Sequence, residues 1–276
     1  MQTKSFLYNN LTVSYIDNGN ESDLTLLFIH GNSLRSELFK QQVTGLAFNQ
    51  FRVIAPDFPG HGRSGRSQNP EVDYSVLGYI DMLKQLVLEL KLKNIVLVGH
   101  SLGGHIAIHL QSELKKAQVK VCGIAIMGTP PLTLPPKMEQ AFLPNPAMAL
   151  VFKPNLSDDE IFEVANAFIH HDSAFSEDVK KTIASADPMV RPSIGMSIAT
   201  QIQESEVDIL NNSEIPIAVI HGENDSLVNA NYINSLGLRL WQDKIHTINA
   251  GHIPFLEQPS QFNSILQRFI QSIQAD

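Results

Sequence analysis

Hydrophobic residues in this chain form short, nearly continuous runs separated by longer stretches of mixed polarity. Residues 24–29 and 95–98 are such runs and predict buried strands, of which 24–29 is typical of a strand buried on both faces. Residues 51–55 predict another strand. Five further strands are predicted at residues 6–8, 11–16, 119–127, 217–220 and 244–248. Strands that alternate with helical stretches predict an α/β fold with a mostly parallel, eight-stranded sheet flanked by helices.

Helical spacing of apolar residues marks the intervals between these strands. A long amphipathic helix is predicted through Val76, Ile80, Leu83, Val87 and Leu90. A helix is expected over residues 36–46, and a closing helix carries the apolar side chains Phe262, Ile265, Leu266 and Phe269. The pair Asn9-Asn10 favours a tight hairpin turn between the first two strands.

The rhythm of the chain changes after Gly128. Seven of the 15 prolines lie within residues 130–154. Ser157 is placed to cap a helix, and further helices are expected over residues 176–186 and 193–203. We therefore predict a mostly helical cap, residues 129–206, inserted into a core formed by residues 1–128 and 207–276.

Composition and charge narrow the classes of function. The chain has 276 residues, of which 43% are hydrophobic, so it can bury a substantial core. A net charge of −8 argues against nucleic-acid and anionic-membrane partners, and no apolar run is long enough to span a membrane. Cys122 is the single cysteine, and the N-terminus lacks the pattern of a signal peptide, so we expect a cytoplasmic location.

The segment 99–103 carries the first chemical signal. It reads Gly-His-Ser-Leu-Gly between a predicted strand and a predicted helix, which is the pattern of a nucleophile elbow. Ser101 would be the nucleophile, and the backbone N–H of Leu102 would be one oxyanion donor. The second donor is expected from the Asn32 backbone N–H in the loop after the first central strand, although the Asn32 side chain could instead line the pocket.

A serine nucleophile requires a base and a carboxylate that orients it. His252 and Asp225 each follow a predicted strand, so both should lie with Ser101 at the carboxyl edge of the sheet. Glu223 competes for the acid role, and Asp225 is favoured by its position in the loop. The alternative position after the preceding strand, residues 127–131, has no carboxylate.

No catalytic role is predicted for several other polar residues. Asp57 and His61 are expected to fix a turn. His105 and His109 share a helix face, but no neighbouring carboxylate in the sequence completes a metal site. Residues 170–172, His-His-Asp, do not complete the His-x-His-x-Asp-His pattern of metal-dependent lactonases. We predict neither a metal nor a cofactor.

With these motifs in order, the chain resembles the α/β-hydrolase superfamily over nearly its whole length. The segments 30–33, 99–106, 128–131 and 253–255 are similar to those of serine-type N-acyl-homoserine lactonases. The resemblance implies opening of a homoserine lactone through an acyl-enzyme, with the cap holding the acyl tail. It also leaves open whether the acid is a glutamate. Expected substrate contacts are Ser33, His100, Phe152, Val164, Phe168 and Ile253.

Several functions remain compatible with the same residues. The favoured partner is a small lactone or ester, with a general carboxylesterase as the nearest alternative. Hydrolysis of a carbon–carbon bond uses the same triad. A small-ligand receptor on a hydrolase fold is the non-enzymatic alternative.

Overall fold

The computed structural model describes residues 2–170 and 174–275. His171 and Asp172, named in the search for a metal pattern, therefore lie outside the described residues. The chain forms one eight-stranded sheet with the strand order β1-β2-β4-β3-β5-β6-β7-β8. The strands are β1 (Gln2–Tyr8), β2 (Leu11–Asp17), β3 (Leu24–Ile29), β4 (Arg52–Pro56), β5 (Asn94–His100), β6 (Lys120–Met127), β7 (Ile217–Gly222) and β8 (Ile245–Ile248).

Strand pairing confirms the predicted α/β fold class. The first two strands form an antiparallel hairpin, and β2 also pairs antiparallel with β4. Every pairing from β4 onward along the sheet is parallel. The turn residues Asn9 and Asn10 have φ values of 46° and 65°, as the predicted hairpin requires.

Thirteen α-helices accompany the sheet in the described part of the chain. They are α1 (Lys40–Thr44), α2 (Pro70–Asp73), α3 (Val76–Glu89), α4 (Leu102–Lys116), α5 (Met138–Ala141), α6 (Ala147–Leu150), α7 (Asp158–Phe168), α8 (Ser176–Ser185), α9 (Val190–Gln201), α10 (Glu206–Asn211), α11 (Ala230–Ser235), α12 (Pro254–Glu257) and α13 (Pro259–Ala275). Within the described residues, none of these helices is long and apolar enough to cross a membrane.

The helices that flank the sheet bury the faces predicted from the sequence. Helix α3 begins at a Ser75 cap, whose Oγ accepts a hydrogen bond from the Gly78 backbone N–H at 2.9 Å. It packs against α4, which covers β5 and β6. Helix α13 packs against β6, β7 and β8 and also contacts α1. The core of the protein therefore lies between the sheet and these helices.

Two predicted helices differ from the structure. The segment expected as one helix over 36–46 is a 3-10 turn (Ser36–Phe39) followed by the short α1, which ends where Gly45 has an extended backbone. The helix expected from residue 193 begins earlier, at Val190, which places Pro192 in its first turn. Proline is tolerated there because the N–H that it lacks would have no helical acceptor.

Helices α5 to α10 all lie between β6 and β7. The predicted Ser157 cap is present as a capping box, since Ser157 Oγ accepts from the Glu160 N–H and Glu160 accepts from the Ser157 N–H. The insertion therefore follows the sheet strand that neighbours the elbow strand. The division into a core and a cap at residues 129 and 206 stays a prediction.

Candidate active site

Ser101 occupies a strained turn between β5 and α4. Its φ of 51° and ψ of −121° are rarely adopted by a residue with a side chain and cost about 1–3 kcal/mol. The flanking glycines permit this turn. A Cβ on Gly99 would overlap the carbonyl oxygen of Gly103, and a Cβ on Gly103 would overlap that of Ile29. The backbone thus has the form of a nucleophile elbow.

His252 and Asp225 are paired at the same edge of the sheet. His252 follows β8 and Asp225 follows β7, and the His252 Nδ1 lies 2.8 Å from the Asp225 Oδ2. The Asp225 Oδ1 accepts from the backbone N–H groups of Leu227 and Val228 at 2.9 and 3.1 Å. Burial would raise the pKa of Asp225, but the charge and hydrogen bond of His252 outweigh it, so the pKa lies below its usual value.

Glu223, the competing acid, points elsewhere. Its Oε1 accepts a hydrogen bond from the Thr247 Oγ1 at 2.9 Å, and the side chain is exposed. Asp225, by contrast, is buried against the imidazole. The structure therefore brings Asp225, and not Glu223, to His252.

The start of α4 and the loop after β3 both lie beside Ser101. Leu102 is the first residue of α4, so its N–H has no acceptor within the helix. Gly31 brings the β3 loop close to the elbow, because a Cβ on Gly31 would lie 3.1 Å from the Ser101 Cβ. The Asn32 side chain donates to the Val151 carbonyl oxygen at 2.9 Å. Asn32 and Leu102 both line the cavity that contains Ser101.

Buried histidines hold this β3 loop. The His30 Nδ1 donates to the Gly31 carbonyl oxygen at 2.8 Å, while the His30 Nε2 accepts from the Phe58 N–H at 3.0 Å. The His61 Nε2 accepts from the N–H of Ser33, a residue with a φ of 59°. Burial lowers the pKa of both imidazoles, so both are neutral and can accept these bonds.

Asp57 fixes the neighbouring turn, as predicted. Its Oδ1 accepts from the Ser36 N–H at 2.7 Å, and its Oδ2 accepts from the Arg63 N–H at 3.0 Å. Asp57 and His61 therefore support the loop that carries Asn32.

A narrow, mainly apolar cavity of about 80 Å³ opens on Ser101. Its polar lining residues are Asn32, Ser101, His105 and His252. The ring centroid of Phe168 lies 5.4 Å from that of His252. The other lining residues are apolar and include Val76, Leu102, Leu132, Met138, Phe142, Met148, Val151, Phe152, Ile194, Ile198, Ile202 and Leu227.

Of the six predicted substrate contacts, Phe152 and Phe168 line this cavity. The other four are buried in the protein interior and do not line the cavity. Ser33 is near Arg191, whose Nη1 lies 3.3 Å from the Ser33 Oγ. The His100 Nε2 donates to the His252 carbonyl oxygen at 2.9 Å, so His100 supports the His252 loop rather than facing the cavity. Val164 and Ile253 are core residues.

Sequence reasoning missed one polar cluster next to this cavity. A carboxylate that is distant in the sequence lies beside His105 and His109, because the Glu206 Oε2 lies 2.8 Å from the His105 Nδ1. The Glu206 Oε1 lies 3.4 Å from the His109 Nε2. Within residues 2–170 and 174–275, no group of three or more histidine, cysteine, aspartate or glutamate side chains could hold a metal ion.

Comparison with known proteins identifies the family. The model of the α/β-hydrolase fold family matches residues 25–259, which is most of the chain. The chain belongs to the α/β-hydrolase fold family. Among relatives of this hydrolase, the AB hydrolase superfamily protein YisY of Bacillus subtilis is 25% identical over 90% of this chain and 91% of its own. A Mycoplasma pneumoniae protein described as a candidate esterase/lipase is 26% identical over 82% and 84% of the two chains.

Solved structures add a more specific similarity. The N-acyl homoserine lactonase AidH, in a variant complexed with N-hexanoyl homoserine lactone, superposes with a TM-score of 0.90. It is 29% identical to this hydrolase, over 99% of this chain and 98% of that one. AidH complexed with N-butanoyl homoserine gives the same TM-score, at 30% identity over 99% and 97%. The protein is thus a hydrolase of the esterase and lipase type.

Proposed function

We propose that this hydrolase opens the lactone ring of N-acyl-homoserine lactones through an acyl-enzyme on Ser101. The single observation that carries this proposal is the similarity to AidH over almost the full length of both chains. An apolar cavity at the serine agrees with it, because such a cavity suits an acyl tail.

In the proposed mechanism, His252 is the general base and Asp225 orients it. The His252 Nδ1–H donates to the buried Asp225 carboxylate, which leaves the Nε2 unprotonated. The Nε2 takes the proton from the Ser101 Oγ as that oxygen attacks the lactone carbonyl carbon. The ring C–O bond then breaks, and the proton passes to the departing alkoxide oxygen.

Negative charge develops on the lactone carbonyl oxygen during this attack. The backbone N–H groups of Leu102 and Asn32 are assigned to stabilise it, and Leu102 lies at the start of a 15-residue helix whose dipole favours an anion. A water molecule activated by His252 then releases the acyl-homoserine product and restores Ser101.

Helices that lie between β6 and β7 form much of the cavity wall. The walls of the cavity include residues of α5, α6, α7 and α9. We assign the acyl tail to the space between these helices, and expect them to separate when the ligand binds.

A general carboxylesterase is the second candidate, supported by the relative described as an esterase/lipase. Two assays on one preparation separate the two functions: pH-stat titration of N-hexanoyl homoserine lactone opening, and release of p-nitrophenol from its butyrate ester. The proposal predicts a higher kcat/KM for the lactone. Rapid cleavage of the aryl ester with no loss of the lactone would exclude the lactonase and favour the esterase.

The nucleophile is tested by Ser101→Ala. Removing the hydroxyl should lower kcat by at least about 10³-fold for both substrates, because no other group in the proposed mechanism can form the acyl-enzyme. Ser112→Ala, near the other end of α4, is the matched control and should retain parental activity. Turnover by Ser101→Ala at the parental rate would refute the assignment.

A further inference from the structure

Glu206 forms a second buried histidine–carboxylate pair beside the cavity. The carboxylate belongs to α10 and is fully buried, and its two oxygens lie 2.8 and 3.0 Å from the Nδ1 of His105 on α4. The Leu132 backbone N–H also donates to Glu206 at 2.8 Å, and the Glu206 N–H donates to the Leu132 carbonyl oxygen. Glu206 is therefore fixed from two sides.

The charge state of Glu206 determines what His105 can present to a ligand. Burial would raise the pKa of Glu206, but the charges and hydrogen bonds of His105 and His109 lower it to about 2. The carboxylate is thus ionised, and the proton of His105 is held on the Nδ1 that faces it. The Nε2 on the opposite side of the ring is the atom left for another partner.

His105 has a distinctive place in the cavity lining. It lies one helical turn beyond Ser101, and its backbone N–H donates to the Ser101 carbonyl oxygen at 3.3 Å. Asn32, Ser101 and His252 are assigned to the reaction, and the other described residues of the lining are apolar. A ligand that reaches past Ser101 thus meets one further polar side chain, His105, within an apolar wall.

Resting on the lactonase function proposed above, we propose that His105, oriented by Glu206, binds the secondary amide of the substrate. The amide carbon and nitrogen of an N-acyl-homoserine lactone lie within three bonds of the lactone carbonyl carbon, a separation comparable to one helical turn. A neutral His105 Nε2 accepts from the amide N–H, whereas a protonated Nε2 donates to the amide carbonyl oxygen. In this arrangement His105 selects amide-bearing lactones, and Glu206 is a positioning residue.

The amide preference of the enzyme tests this role. It is the ratio of kcat/KM for N-hexanoyl homoserine lactone to that for α-heptyl-γ-butyrolactone, whose alkyl chain has the same length but no amide. The double variant His105→Leu/Glu206→Gln removes the imidazole without leaving an unpaired buried charge, and the introduced amide oxygen can still accept from the Leu132 N–H. We expect the ratio to fall about tenfold, mainly through KM of the amide substrate.

His109→Gln is the matched control, because His109 contacts the same carboxylate but does not line the cavity. Its ratio should stay within about twofold of the parent. A purely structural role of the pair would lower kcat/KM for both lactones equally, and an unchanged ratio in the double variant would overturn the proposal. Circular dichroism checks that each variant folds.

Binding in a Ser101→Ala background separates this proposal from the lactonase function. Calorimetric titration should give a Kd for N-hexanoyl homoserine lactone about tenfold weaker when His105→Leu/Glu206→Gln is added. Equal Kd values would overturn amide recognition even if the parent opens the lactone. If the parent opens neither lactone, the lactonase function fails, and the same pair of Kd values still decides whether His105 binds the amide.

Discussion

Asp225→Asn distinguishes the proposed acid from its neighbours at almost no steric cost. The Asp225 Oδ1 already accepts two backbone N–H bonds, from Leu227 and Val228. In the variant these donors retain the amide oxygen at that position, so the amide NH₂ replaces the Oδ2 that faces the His252 Nδ1. Two donors would then meet at the position of a 2.8 Å hydrogen bond.

The imidazole relieves this conflict by moving its proton. With the His252 Nδ1 as acceptor, the neutral ring carries its proton on the Nε2 and can no longer take one from Ser101. A loss of kcat of about 10⁴-fold is expected for this wrong tautomer, which equals about 5.5 kcal/mol of transition-state stabilisation. KM should change little, because Asp225 does not line the cavity.

Glu223→Gln supplies the matched control in the same loop. The Glu223 side chain is exposed and contacts Thr247, so kcat should stay within about twofold of the parent. The assay is turnover of N-hexanoyl homoserine lactone and p-nitrophenyl butyrate, with thermal melts to confirm folding. A large loss in Glu223→Gln, with near-parental activity in Asp225→Asn, would refute the assignment of the acid.

Two further predictions concern stability. Arg191 is buried and donates to the carbonyl oxygens of Lys153 and Pro154 at 2.7 and 2.6 Å, so Arg191→Met should lower Tm by about 4–8 °C. Arg239→Met is the control, because Arg239 is exposed, and equal shifts in Tm for the two variants would contradict this role of Arg191. Burial would raise the pKa of Glu206, but His105 and His109 lower it from 4.5 in the unfolded chain to about 2. The stabilisation from its ionised form is therefore complete above about pH 5 and is lost as the pH falls towards 2. Urea unfolding should therefore show that the free energy of unfolding falls less between pH 5 and pH 3 in Glu206→Gln than in the parent. Equal losses in the two proteins would contradict this role of Glu206.

Local signals account for the parts of the fold that the sequence predicts well. The strand β3 is buried along its whole length, and β5 is buried from Ile95 onward. Both therefore carry few polar residues and stand out in the sequence. The helix expected over 36–46 is not observed as one helix, because a contact that is distant in the sequence acts on this segment. Its first turn is determined by a distant contact, the bond from the Ser36 N–H to Asp57, which local spacing does not reveal.

Of the two histidine–carboxylate pairs near Ser101, one can be predicted from the sequence and the other cannot. His252 and Asp225 each follow a strand of one parallel sheet, and the carboxyl ends of such strands meet at a common edge, so strand prediction alone brings them together. His105 and Glu206 belong to helices separated by β6 and the inserted segment, and no general rule fixes how an inserted helix packs on α4. A topological rule thus predicts the pair assigned to the chemistry, whereas the pair assigned to substrate choice depends on tertiary packing that only the structure contains.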